Sequence, residues 1–325
     1  MSGTRTQPAP APGATAPAPP PPPPPRRGGS ASGRTGLAAA TLLTPFFVLF
    51  ALAMLLPVGY AIWLSLFTDK LSGLGFDGPH SVFDGLGNYL DVLKDEAFRD
   101  GFWVLAKYVV LYIPIMMGGA LALALLLDTA LARARRFFQL ALFLPHAIPG
   151  LIAGLIWIYL YTPGLSPVVK AMESGGLGFD FFGPDGALPS IVNIAVWEWL
   201  GYNLVIFYAA LQAIDRSMLE AAAVDGAGNW RVAFSIKLPL IRSSVFLVLL
   251  FTIIGSLQLF TEPLLLSSSG SAVTSTYTPN MYAYSQAFQI NDYGRAAAAS
   301  VLIALVAAVL SFLVTRLSNR KGAQA

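Results

Sequence analysis

Cysteine is absent from this 325-residue chain, which removes disulfides, thiolate metal sites and cysteine nucleophiles together. Histidine occurs at His80 and His146 only, and no His-Glu-x-x-His or comparable metal spacing exists. A Gly-x-x-x-x-Gly-Lys-Ser/Thr phosphate loop is missing too, so nucleotide hydrolysis of that type is not expected on this chain. Charge is scarce: Asp, Glu, Lys and Arg make up 11% of residues, against roughly 25% in an average soluble domain. Hydrophobic residues reach 55% and mean hydropathy is +0.64. That balance points to a membrane rather than to a soluble enzyme.

What the chain has in abundance is apolar sequence of membrane length, near 37–67, 102–127, 137–161, 190–213, 243–266 and 296–317. Each stretch meets the requirement of about 20 predominantly apolar residues per span. Six spans predict an all-α integral membrane domain over 37–325, with both termini on one side. The first span lacks a small-residue cleavage site and reads as retained rather than as a signal peptide. Basic residues in the short loops set the orientation. Thirteen of them (Arg26, Arg27, Arg34, Arg133, Arg135, Arg136, Arg216, Arg231, Lys237, Arg242, Arg316, Arg320 and Lys321) fall on one side. Five (Lys70, Lys94, Arg99, Lys170 and Arg295) fall on the other. The richer side, with both termini, is expected in the cytoplasm. The net charge of +3 and pI near 9.1 follow from this bias and call for no nucleic acid. Residues 1–36 form a Pro/Ala-rich cytoplasmic tail, with an unbroken proline run at 19–25. It cannot bury enough apolar surface to offset its ordering entropy, so disorder is expected. The outer loops are 68–101 and 162–189; the first is acidic, with seven Asp or Glu against three basic residues.

Between the fourth and fifth spans, residues 217–239 are polar. Ser217 followed by Glu220 is a capping-box pattern that starts a helix. Ala221, Ala222 and Ala223 continue it, and Asp225-Gly226 stops it. Asn229 is placed to cap a second short helix bearing Trp230, Ala233 and Phe234, and Pro239 discourages continuation at Leu238. Two short helices bent at Gly226 make a protruding element that a partner groove can approach closely. Glu220, Ala221, Ala222, Asp225, Gly226, Ala227, Phe234, Ile236, Leu238 and Pro239 resemble, without a gap, the EAA loop of permeases in bacterial binding-protein-dependent ABC importers. The loop runs over 214–242. Many members carry a second proline where Ser243 stands here.

That resemblance implies a type I ABC importer permease fold in the bacterial cytoplasmic membrane. It implies docking of an ABC ATPase dimer through Glu220, Ala221, Ala222, Asp225, Gly226, Ala227 and Pro239. It further implies a second homologous permease subunit, an extracytoplasmic solute-binding protein, and alternating access driven by ATP. The chain itself is expected to be no enzyme and to bind no cofactor, with ATP and Mg held on the ATPase subunits.

Polar groups inside a span cost roughly 2.5–3.5 kcal/mol on insertion scales, so they usually face a bundle interior. Glu198 lies mid-span within Trp197-Glu198-Trp199-Leu200-Gly201-Tyr202-Asn203. On a helix Glu198 and Tyr202 share one face, and Trp197 and Gly201 another. A carboxylate beside flat rings suits the hydroxyl edges and C–H faces of a sugar; a packing carboxylate paired with a buried amide is the alternative. Trp199-Leu200-Gly201-Tyr202 is similar to a segment lining the sugar site of maltose-transporter-type permeases. Leu-Pro-x-Ala-Ile-Pro at 144–149, Trp157 and Ala-Leu-Gln-Ala-Ile at 210–214 extend the similarity. With Thr252, Ser256 and Gln258 of the fifth span, the expected substrate path comprises Trp197, Glu198, Leu200, Gly201, Tyr202, Thr252, Ser256 and Gln258. The Thr-x-Gly-Gly-Pro turn of many sugar permeases is replaced by Ser267-Ser268-Ser269-Gly270-Ser271.

Two further residues carry expectations. Glu262 is expected at the headgroup boundary with its carboxylate solvated, a gate being the alternative. His146, between Pro145 and Pro149, is expected to satisfy carbonyls freed by a helix break. The overall reading is an importer permease for an oligosaccharide or related polyol. Alternatives are another solute (glycerol phosphate, polyol or amino acid) or an ion-coupled secondary transporter. An intramembrane serine protease would need a histidine near Ser256, and none lies in the fourth to sixth spans.

Overall fold

The computed structural model describes residues 31–71, 79–129 and 134–322. The chain divides into two units, Met1–Leu56 and Pro57–Ala325. Most of the expected tail lies outside the described residues. Its last part does not, because helix α1 (Ala31–Phe50) begins earlier than the boundary at residue 37. The alanines at 38–40 let helix propagate upstream once the span has nucleated it. A π turn at Ala51–Leu55 links α1 to α2 (Leu56–Leu64). The apolar window Ala40–Leu64 has mean hydropathy 2.3 and buries none of itself.

Strands β1 (Phe67–Leu71) and β2 (Pro79–Phe83) pair antiparallel, with Phe67 opposite Phe83 and Lys70 opposite His80. This hairpin, between the first two apolar spans, is the only sheet among the described residues and an addition to the all-α expectation. Helix α3 (Gly87–Lys94) is tied to it through Asn88, whose amide donates to the carbonyls of Ser65 at 2.9 Å and Phe67 at 2.8 Å. Helix α4 (Glu96–Asp128) starts where the Asp95 carboxylate accepts from the Ala97 N–H at 3.0 Å.

The expected third span is broken. Helix α5 (Arg135–Phe143) and a 3-10 turn at Leu144–Ala147 meet α6 (Gly150–Tyr161) at a 97° bend. Pro145 and Pro149 account for it, since neither has an N–H to continue the ladder. Helices α7 (Pro167–Ser174) and α8 (Ala187–Gln212) follow. Next come α9 (Arg216–Val224), α10 (Asn229–Arg231), a π turn at Val232–Lys237 and α11 (Leu238–Leu240). Helices α12 (Arg242–Leu257) and α13 (Thr261–Ser267) together form the fifth span, interrupted at residues 258–260. Helix α14 (Pro279–Ser285), a π turn at Gln286–Ile290 and α15 (Tyr293–Gly322) complete the chain. Among the described residues, five helical spans are long and apolar enough to cross a membrane, or six when the bent pair counts as one, as the apolar windows predict.

Helices α4 and α8 form the principal packed pair. Between membrane helices the drive is van der Waals fit rather than escape from water, so small residues let backbones approach. Ala120 and Ala124 of α4 are fully buried in a cluster with Leu204, Phe207 and Leu211 of α8. Leu105, Tyr108, Tyr112 and Met116 join Ile191 and Ile194 in a second cluster along the same pair. Closest of all is α8 to α5. A Cβ at Gly201 would stand 1.8 Å from the Leu142 carbonyl oxygen. Backbone cannot swing aside as a side chain can. Gly201→Ala is therefore expected to lower the stability of the purified protein by at least about 1–3 kcal/mol, the range for overpacking. A thermal midpoint and membrane yield equal to wild type would contradict this packing.

Candidate functional site

A cavity of about 500 Å³ opens beside the second of these clusters, sharing Tyr108 and Tyr112 with it. Five of the residues expected on the substrate path stand in its wall: Glu198, Tyr202, Thr252, Ser256 and Gln258. Trp197, Leu200 and Gly201 lie outside it. Trp197 and Trp199 stand one helical step, about 100°, to either side of Glu198, and it is the Trp199 side that reaches the cavity. The Trp197 ring packs instead edge-on against Trp157, centroids 5.7 Å apart. Leu200 packs into the core beside α4, near Gly119, and Gly201 is buried against α5.

Residues absent from the expected path complete the wall. Tyr108 and Tyr112 of α4, stacked with centroids 5.0 Å apart, face Glu198 across the cavity, and Trp199 and Asn203 join from α8. The i, i+4 spacing of the two tyrosines is a visible signal, set at the head of the apolar stretch 108–127. Glu262, expected at a solvated headgroup boundary, lines the cavity and is half-buried.

Each helix break contributes a wall. Glu198 lies against the first residue of α6, where a Cβ at Gly150 would come 3.3 Å from its Oε1. The unpaired N–H groups of a helix start carry positive partial charge and favour a carboxylate there. At the other break, the freed carbonyls of Leu257 and Leu259 accept from Asn280 Nδ2 at 2.8 Å and Thr278 Oγ1 at 3.2 Å, respectively. His146, expected to satisfy carbonyls freed at the break, has within reach the backbone of Glu198 in α8. Its ring packs against Trp199 and Tyr202, centroids 4.6 and 4.7 Å away, and Nδ1 has no hydrogen-bond partner.

The second candidate element is the loop at 214–242. Helix α9 is capped by Asp215, whose carboxylate accepts from the Ser217 N–H at 2.9 Å and is held below its ordinary pKa by that bond. The cap expected from Ser217 thus lies two residues earlier, since Asp offers a full charge to the same orphan donors. Helix α9 ends at Asp225, and Gly226 follows with φ +76°, the expected left-handed stop. The next turn is entered through Gly228, with Asn229 already helical and making no cap. Pro239 does not halt the helix: the π turn at Val232–Lys237 shifts the hydrogen-bond register ahead of it, and helix resumes through Leu240. Trp230 and Phe234 stack at 5.6 Å on the outside, both exposed. Glu220, Ala221, Asp225 and Pro239 are exposed, Ala227 is half-buried and Ala222 is buried.

The loop is anchored to the bundle by one ion pair. Lys237 Nζ meets Asp128 at the end of α4, their side chains 14% and 8% exposed, and Gln212 Nε2 of α8 donates to the same carboxylate at 2.6 Å. Three elements converge on Asp128.

Residues 120–322 match the family described as the binding-protein-dependent transport system inner membrane component. The chain is 32% identical over 282 residues to the sn-glycerol-3-phosphate transport system permease protein UgpA of Yersinia pseudotuberculosis serotype I, covering 86% of this chain and 94% of that protein. It is 31% identical over 282 residues to the UgpA of Shigella flexneri, covering 86% and 93%. Among solved structures it resembles a bacterial ABC transporter involved in the import of the acidic polysaccharide alginate. The TM-score is 0.75 at 23% identity, with 89% of this chain and 96% of that one covered. The alginate ABC transporter in complex with an alginate pentasaccharide-bound periplasmic protein gives 0.75 at 22% identity. These structures establish the fold, a type I importer permease.

The Asp128–Lys237 pair is buried enough for its loss to be felt. Asp128→Asn leaves the Lys237 ammonium unpaired, which is expected to cost roughly 3–5 kcal/mol. Hydrogen exchange across 216–240 should accelerate accordingly, and Asp128→Leu/Lys237→Met should recover much of the loss. Unchanged exchange in Asp128→Asn would contradict the anchoring role.

Proposed function

Because the chain belongs to the family of binding-protein-dependent transport system inner membrane components, we propose that it forms one half of a substrate path for an oligosaccharide or related polyol. As a member it is a multi-pass ABC importer permease of the inner membrane and not itself an enzyme. An ion-coupled mechanism has no place in such a system. A second permease supplies the other half of the path, and a solute-binding protein delivers substrate from outside. ATP and Mg are handled by a separate ATPase pair; this chain binds neither. Both termini and the loop at 214–242 face the cytoplasm. Residues Glu220, Ala221, Ala222, Asp225, Gly226, Ala227 and Pro239 meet the ATPase, and closure of that dimer is carried to the helices that wall the cavity.

The observation that carries this reading is the pairing of a cavity at two helix breaks with a protruding helix–bend–helix element anchored to the same bundle at Asp128. The bend supplies the test. A Cβ at Gly226 meets nothing within 4 Å, so a substitution there strains only the left-handed backbone. That strain is roughly 1–2 kcal/mol for an ordinary L-residue and more when β-branched. Gly226→Val should leave the protein inserted but release or uncouple the ATPase. Normal ATPase co-purification together with normal uptake would sink the docking assignment. Orientation is tested apart from coupling: reporter fusions after Lys94 should read external and those after Arg136 and Arg231 internal. An external reading at Arg231 would remove the loop from the ATPase.

A further inference from the structure

From the charge and hydrogen-bonding capacity of the cavity we infer that the substrate passing this chain is an uncharged, hydroxyl-rich molecule and not an anion. The inference rests on the cavity being the substrate path, as proposed above. Two carboxylates, Glu198 and Glu262, stand in the wall, and no Lys, Arg or His does. An ionised carboxylate repels an anion, and a protonated one still offers no positive charge. Neither form supplies what a phosphate or carboxylate group needs where water is scarce.

Helix starts are the other source of positive potential, and the two that reach this wall are already filled from within. Glu198 lies over Gly150 at the start of α6, and Glu262 occupies the first turn of α13. The chain's own side chains take the places where an anion would bind.

Part of the wall's donor capacity is already spent within the chain. The Thr252 hydroxyl donates to the Val248 carbonyl at 2.8 Å, and the Ser256 hydroxyl to the Thr252 carbonyl at 2.6 Å. Asn203 Nδ2 is committed to the Trp199 carbonyl at 3.1 Å and to Met116 Sδ at 3.5 Å. These groups can offer a ligand only lone pairs. With the two carboxylates they offer acceptors to a ligand rich in O–H donors, while Tyr108, Tyr112, Tyr202, Gln258 and Thr261 add hydroxyls and an amide that can meet its oxygens, a mixed lining without formal positive charge. The stacked rings of Tyr108 and Tyr112 suit the ligand's C–H faces. The relatives' named substrates, glycerol-3-phosphate and an acidic polysaccharide, are anions. This chain is expected to part from them in charge.

The test uses cells carrying the complete importer, with the gene for this chain deleted and then restored as wild type, Glu198→Gln or Glu262→Gln. Uptake of labelled maltotriose, sucrose, sorbitol, glycerol 3-phosphate and a trimeric uronate is measured per assembled importer. Deletion should abolish uptake within the three neutral probes and leave both anions untouched. Each glutamine variant should restore that uptake roughly tenfold more weakly, the difference between charged and neutral acceptors. Loss of glycerol 3-phosphate or uronate uptake on deletion overturns the charge assignment and spares the cavity as a path. That arm decides even where a variant fails to assemble. Full restoration by both variants would overturn the cavity as the path, and the charge inference with it.

Discussion

A helix broken within hydrocarbon must find partners for the backbone groups it frees, because no water is there to take them. The cavity of this protein is built at two such breaks. At one, Pro145 and Pro149 turn the chain by 97°, and the exposed start of α6 receives the Glu198 carboxylate. At the other, the interruption between α12 and α13 is satisfied by Thr278 and Asn280 from the following segment. Polar side chains that would be costly on an unbroken apolar helix become compatible with the bundle here. The site and the irregular backbone are one arrangement.

The same economy of polar groups governs the coupling element. Asp128 terminates α4, accepts from Gln212 of α8 and pairs with Lys237. The principal helix pair of the bundle and the second half of the protruding loop therefore share one buried carboxylate. Helices α4 and α8 also carry most of the cavity's aromatic wall. A displacement of the loop thus has a direct mechanical route to the cavity, through helices that are stiff along their axes.

Much of this was legible in the sequence, for reasons that are local. Apolar windows mark the crossing helices because a bilayer admits few other solutions. The stop at Gly226 is written in one residue's tolerance of positive φ. Glu198 and Tyr202 share a face because helical spacing requires it. Other features depend on what lies across the bundle. Nothing in the run Trp197-Glu198 says which of two directions, about 100° apart, points inward. Tyr108 and Tyr112 become wall residues only once α4 is laid against α8. The choice of Asp215 over Ser217 as cap rests on backbone geometry at the entry to α9. The π turn that absorbs Pro239 has no signature in residue order, and Glu262 reads as near-surface until the break at 258–260 turns it inward.

The central claim is that this cavity at the breaks is the compartment whose access alternates. The chain has no cysteine, so one introduced thiol is unique within it. Gly255 lines the cavity, and a Cβ there meets nothing within 4 Å. The decisive measurement is labelling of Gly255→Cys in the assembled importer by a membrane-impermeant maleimide applied to one face at a time. The thiol should react from one face without nucleotide and from the opposite face after ATP and vanadate trapping. Reaction from the same face in both states, or from neither, would contradict the account.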